Sequence, residues 1–121
     1  MNNVMLVGRL TNDIEIRTLE SGKNVSSIQL AVTRPFKNID GTYDTDFIEC
    51  VLWDELAENI REYCKKGDTV GVRGRLQTEL YEDKEGKKRK STQVIVEKLT
   101  FLTSSTSQKE EKDNQNKKKK N

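Results

Sequence analysis

One stretch of helical periodicity, residues 54–67, interrupts a chain that otherwise alternates apolar and polar positions, and this interruption restricts the possible folds more than any other feature. Before it, residues 4–10 read as a strand rich in β-formers, with Gly8 at a bend. Residues 14–19 and 25–33 read as a long hairpin around the turn cluster Glu20-Ser21-Gly22-Lys23. Residues 34–44 hold the only proline, Pro35, with Asn38, Asp40 and Gly41, and read as an extended surface loop carrying Phe36 and Tyr43. A further strand follows at 46–53. In the helical stretch Asp54 suits the N-cap and Glu55 and Glu58 the positive end, while Leu56, Ile60, Tyr63 and Cys64 form the apolar stripe. Lys65, Lys66 and Gly67 are its stop signal. From Asp68 the alternation resumes, sending Val70, Val72, Leu76 and Leu80 one way and Arg73, Arg75, Gln77, Glu79 and Tyr81 the other. A hairpin tip at 82–86, a basic run at 87–90 and a last strand near 92–102 complete the order.

Five long, bent strands with one helix between the third and fourth define an all-β fold, the partly open Greek-key barrel of the OB-fold type. Gly8, Gly71 and Gly74 fit such a barrel, because glycine relieves crowding where coiled strands bend. At 121 residues and 32% apolar content the chain supports one modest core. Residues 1–102 are therefore expected to form one domain. Residues 103–121 contain no apolar side chain, cannot repay their ordering entropy, and are expected to be a disordered Lys-rich tail.

The strand at 46–53 points to a task. Ile48, Cys50 and Leu52 take its core face, which leaves Phe47 and Trp53 on the outside. A flat surface bearing aromatic rings suits the stacking of unpaired bases. Charge alone does not announce such a partner. The net charge is +2, and residues 1–102 carry 16 basic against 17 acidic groups, so any basic groove is local. With no histidine, and with Cys50 and Cys64 lacking metal-ligand spacing, neither a metal nor another cofactor is expected, and both cysteines read as reduced core residues. No apolar run approaches the roughly 20 residues of a membrane span, and the N-terminus lacks a signal core, so no membrane partner and a cytoplasmic location are expected.

Four stretches in order carry a family resemblance: residues 3–10 (NVMLVGRL), 28–32 (IQLAV), 50–58 (CVLWDELAE), and 66–70 (KGDTV) running into 74–76 (GRL). The chain resembles the bacterial-type single-stranded DNA-binding proteins. That resemblance implies homotetramers of such barrels around which single-stranded DNA wraps without sequence preference, during replication, recombination or repair, and without catalysis. It also implies stacking at Phe36, Phe47, Trp53 and Tyr81; alternation independently places the last three outside. Candidate phosphate contacts are Arg9, Arg34, Lys37, Arg73, Arg75 and the run Lys87, Lys88, Arg89 and Lys90. The edge of the first strand is the expected contact between chains.

One departure concerns the C-terminus. Housekeeping members of the family close on an acidic tip, with a proline and a phenylalanine, that recruits replication and repair enzymes, whereas this chain ends in Lys117 to Lys120 and Asn121. Recruitment through the tail is therefore not expected, and an accessory phage, plasmid or competence role, or a chain cut short, is. Two other functions fit the same barrel. A primosome-type assembly module does not predict aromatics at all four stacking positions. A nuclease needs convergent carboxylates, and Asp13/Glu15, Asp44/Asp46 and Asp54/Glu55 are neighbours only in sequence.

Overall fold

In the computed structural model, which describes residues 1–104, strands β1 (Val4–Leu10), β2 (Arg17–Thr18), β3 (Asn24–Lys37) and β4 (Tyr43–Trp53) precede helix α1 (Asp54–Tyr63), and β5 (Thr69–Glu82) and β6 (Lys88–Thr103) follow it. The sheet runs β1-β5-β6-β4-β3-β2, and a further β1–β3 pairing at Arg9–Ala31 and Leu10–Leu30 closes five strands into a barrel. Among the described residues only β4 and β6 run parallel, at Cys50–Val94 and Val51–Ile95. This is the expected OB-fold, with the helix between its third and fourth long strands.

The core follows from alternation. Ile28 and Leu30 from β3, Cys50 and Leu52 from β4, Val70 and Val72 from β5 and Val94 and Val96 from β6 fill the barrel, and Ala57 and Ile60 of α1 close it. Cys50 and Cys64 are free and buried. Burial pushes the Cys50 thiol up to about 11, with Glu49 adding to the effect, and burial followed by Asp68 raises Cys64. Backbones pack closely where glycine was expected. A Cβ on Gly8 would meet the Ala31 carbonyl oxygen at 2.8 Å, and one on Gly74 would collide with the Ile95 carbonyl. Gly71 is different, since its nearest neighbour would be Leu102 Cδ1 at 3.9 Å.

Several sequence expectations are corrected. The strand expected at 14–19 shrinks to Arg17 and Thr18, because side chains in the preceding segment replace ladder bonds: Asn12 Oδ1 accepts from the Gln29 N–H at 3.0 Å and Asp13 Oδ1 from the Lys66 N–H at 2.9 Å. The loop expected at 34–44 is a hairpin. β3 runs on to Lys37 through a bulge between Thr33 and Lys37 that accommodates Pro35, which has no N–H for the ladder.

Asp54 is not the N-cap. β4 enters α1 without a loop, so Trp53 takes the cap position with extended backbone and no side-chain cap bond, and Asp54 begins the helix at φ 49°. Aspartate tolerates that left-handed conformation better than most residues. Its carboxylate accepts from the Asn24 N–H at 3.0 Å, and the Asn24 amide donates to Glu58 at 2.8 Å, so the start of β3 is tied to α1. The helix ends at Tyr63, leaving Lys65 and Lys66 in the turn beyond. Tyr63, expected on the apolar stripe, is exposed at the stripe's edge. Leu76 and Leu80, expected in the core beside Val70 and Val72, are also exposed. Beyond Leu76 the β5–β6 pair continues outward as a two-stranded arm, Gln77–Gln93 to Glu82–Lys88, and its far end has no third layer to cover it.

Candidate nucleic-acid interface

The outer face of β4 presents Tyr43, Thr45, Phe47, Glu49, Val51 and Trp53 by strict alternation. Phe47 is 61% exposed and Trp53 37% exposed. Across the sheet, Phe47 stands opposite Ala31, and Ala31 opposite Arg9. Alanine is too small to cover the ring, so one aromatic and one guanidinium share a row with an open position between them. A shallow cleft of about 410 Å³ takes in Arg9 and Ala31 of this row, with Val7 and Gly8 of β1, Thr33, Thr45 and Thr69 as its other walls. The second row is Arg17, Val25 and Trp53. Sequence reasoning missed Arg17, because the β2–β3 register that sets it across from Trp53 leaves no trace in composition or spacing.

Between these rows the outer face is not all solvent. Val51 is buried with Val25 and Ile95 under Leu19, an exception to the expectation that odd positions of this strand are outside. Phe47 and Trp53, six residues apart, are separated by roughly 20 Å at about 3.4 Å per residue.

The other two expected aromatics ride on hairpins. Phe36 is 76% exposed within the β3 bulge, and Tyr81 is exposed on the β5–β6 arm. Tyr81 stands opposite Arg89, whereas Lys88 and Lys90 pair with Glu82 and Leu80 on the other face. The basic run is therefore split: only Arg89 of its strand residues shares a face with Tyr81, and Lys87 lies in the tip.

The expected cations are not equally available. Arg34 donates to both carboxylate oxygens of Asp46 and lies 3.6 Å from Asp44. That hydrogen bond holds Asp46 below the usual carboxylate range and Arg34 above its ordinary value. Arg89 donates to Asp83 at 2.9 Å, which with the Lys87 N–H depresses the Asp83 carboxyl. Arg75 donates to Gln77 at 2.8 Å along the same strand. The ammonium of Lys37 lies 5.9 Å from the Tyr43 ring centroid. Arg73 is set apart, opposite Met5 and Lys98 on the β1–β5–β6 wall.

That wall carries an apolar patch, with Met5 81% and Val7 60% exposed. β1 pairs with β5 along Val4–Arg9 but with β3 only at Arg9 and Leu10. Among the described residues, the other edge of β1 from Val4 to Gly8 has no strand partner. Also among the described residues, no group of three His, Cys, Asp or Glu could hold a metal ion, and no helix is long and apolar enough to cross a membrane.

An OB-fold barrel whose open face combines exposed aromatics with arginines has the build of an oligonucleotide-binding module. Comparison with known proteins narrows the class. Residues 1–102 match the single-strand binding protein family, and the chain belongs to it. It is 48% identical over 104 residues to single-stranded DNA-binding protein 3 of Listeria innocua, covering 86% of this chain and 65% of that protein. It is 44% identical over 108 residues to single-stranded DNA-binding protein 3 of Streptococcus agalactiae, covering 89% and 78%. Single-stranded DNA-binding protein 1 of Staphylococcus aureus is 48% identical over 102 residues, covering 84% and 65%. The chain thus spans about 65% of the length of the Listeria and Staphylococcus relatives.

Proposed function

We propose that residues 1–102 bind single-stranded DNA without sequence preference, by stacking bases on Phe36, Phe47, Trp53 and Tyr81 and by holding phosphates with nearby cations. The observation that carries this reading is the exposure of Phe47 and Trp53 on one face of β4, each in a row with an arginine. A core does not need two large rings outside, and base stacking is worth roughly 1–3 kcal/mol per base by truncation. Membership of the single-strand binding family and the names of the relatives support the same substrate.

Arg9, Lys37, Arg75, Lys87, Lys88 and Lys90 serve as phosphate contacts in this reading. Arg34 and Arg89 contribute less, because each exchanges a carboxylate partner for a phosphate. Arg73 borders the Met5–Val7 patch, where we place the contact between chains: the unpartnered edge of β1 pairs across a twofold axis, and two such dimers form the tetramer. The protein acts by covering single strands during replication, recombination or repair in the cytoplasm, and makes and breaks no bond. Thr103, expected to begin a disordered tail, still belongs to β6, and any part played by residues 105–121 lies outside the described residues.

The test is fluorescence anisotropy of a labelled mixed-sequence single strand, its duplex and the matching RNA, with magnesium or calcium present. The reading expects tight binding of the single strand, weak binding of duplex and no cleavage. Equal affinity for duplex and single strand, or cleavage of the label, contradicts it.

A further inference from the structure

The hairpin formed by the end of β3 and the start of β4 carries an aromatic that the sequence reading treated as part of a loop. Tyr43 opens β4, so it shares parity with Phe47 and Trp53 and projects from the same outer face. It lies four residues before Phe47, roughly 14 Å along the strand at about 3.4 Å per residue. The ring is 48% exposed, more than Trp53. No buried core residue comes from this hairpin, whose residues 33–45 are partly or fully exposed, so packing does not account for an aromatic here.

Lys37 stands directly opposite Tyr43, with its ammonium 5.9 Å from the ring centroid. Cross-strand partners share a face, so the hairpin presents a ring and a mobile point charge side by side. The cleft that begins at Arg9 and Ala31 runs between Thr33 and Thr45, the pair next to Lys37 and Tyr43 along the ladder. A strand lying in that cleft is led past Thr33 and Thr45 toward this ring.

We propose that Tyr43 is a fifth stacking platform, extending the line of Trp53 and Phe47 outward along β4, with Lys37 holding the phosphate beside the base stacked on it. The inference rests on the single-strand binding proposed above. The platform is sequence-tolerant, because every base has a π-face. It lengthens the path of a single strand over each subunit beyond the four aromatics already assigned.

The experiment measures affinity and salt dependence for a series of oligothymidylates of increasing length, using the intact chain and the variants Tyr43→Leu, Tyr43→Phe and Lys37→Gln. Tyr43→Leu keeps an apolar side chain and removes the π-face; it is expected to weaken binding about five- to 150-fold for oligonucleotides long enough to reach the hairpin, and not for shorter ones. Tyr43→Phe is expected to bind like the parent. Lys37→Gln is expected to make the logarithmic salt slope shallower by about 0.7. In parallel, ultraviolet irradiation of the parent with 5-iodouracil-substituted strands is expected to give a cross-linked peptide containing Tyr43. A parent that binds single strands while Tyr43→Leu matches it at every length, or that cross-links at Phe47 or Trp53 but never at Tyr43, overturns this inference and leaves the proposed function standing. A parent that fails to bind single strands at all overturns both.

Discussion

Arg34 grips Asp46 with two charge-assisted hydrogen bonds, Nη2 to Oδ1 at 2.8 Å and Nε to Oδ2 at 3.0 Å, at the base of the hairpin that carries Phe36. A cation beside a proposed stacking ring is therefore already engaged, and Asp44 adds a weaker contact at 3.6 Å. Replacing both carboxylates, Asp44→Asn with Asp46→Asn, keeps the side-chain shape and releases the guanidinium. Single-strand affinity at low salt is expected to rise, and the logarithmic salt slope to steepen by about 0.7 for one additional phosphate contact. An unchanged slope would mean that the carboxylates do not keep Arg34 from the backbone.

Gly74 and Gly71 lie on the same strand three residues apart but face different constraints. Gly74→Ala places a Cβ against the Ile95 carbonyl at the β5–β6 register shift. It is expected to cost about 1–3 kcal/mol, as overpacking of a closed interior does. Gly71→Ala meets nothing closer than 3.9 Å and is expected to leave stability nearly unchanged. Thermal melting of the two variants checks this. Equal melting temperatures would contradict the close approach at Gly74.

The Met5 and Val7 side chains are exposed next to the unpartnered edge of β1. Met5→Glu with Val7→Glu introduces like charges into the proposed contact between chains while touching no buried side chain. Sedimentation is expected to show a smaller assembly with an unchanged circular dichroism spectrum. A double variant of parent size would move the interface elsewhere.

Melting and binding are expected to be insensitive to pH between 5.5 and 7.5. The chain has no histidine. Hydrogen bonds from Thr42, Arg34 and the Arg89 side chain push Asp40, Asp46 and Asp83 below the usual carboxylate range. The contribution of such a depressed carboxylate is complete above its ordinary pKa and is lost as the pH falls through the depressed value, so it disappears only in acid. Cys50 works in the opposite direction. Its raised thiol favours the neutral form in the fold, and stability is expected to decline as pH rises from about 8.5 toward about 11. Melting temperature and affinity measured across the range are expected to be flat from pH 5.5 to 7.5; a step within that window contradicts this assignment.

The barrel was readable because alternation along β4, β5 and β6 and the one helical interruption report burial directly. Ile28, Leu30, Leu52, Val70 and Val72 are buried as their spacing indicates. Local pattern was a poor guide where tertiary context decides. Leu76 and Leu80 continue the inward parity of β5, yet the strand leaves the barrel from Leu76 onward, so the same alternation marks core at Val72 and solvent at Leu80. Turn-forming residues at 38–41 concealed the extension of the hairpin, and with it the parity of Tyr43. The outward placement of Phe47, Trp53 and Tyr81 follows from period two alone. Arg17, and the pairing of Arg34 and Arg89 with carboxylates, depend on register and on contacts distant in sequence, which spacing does not encode.

The most direct test of single-strand binding by stacking is titration of Trp53 fluorescence with a mixed-sequence single strand at moderate and at high salt. Trp53 is the only tryptophan, so the signal reports one ring. Stacking predicts strong quenching that persists at high salt, and a loss of roughly 1–3 kcal/mol per occupied site in Trp53→Ala with assembly intact. Weak quenching that vanishes with salt, together with unchanged affinity in a correctly assembled Trp53→Ala variant, would contradict it.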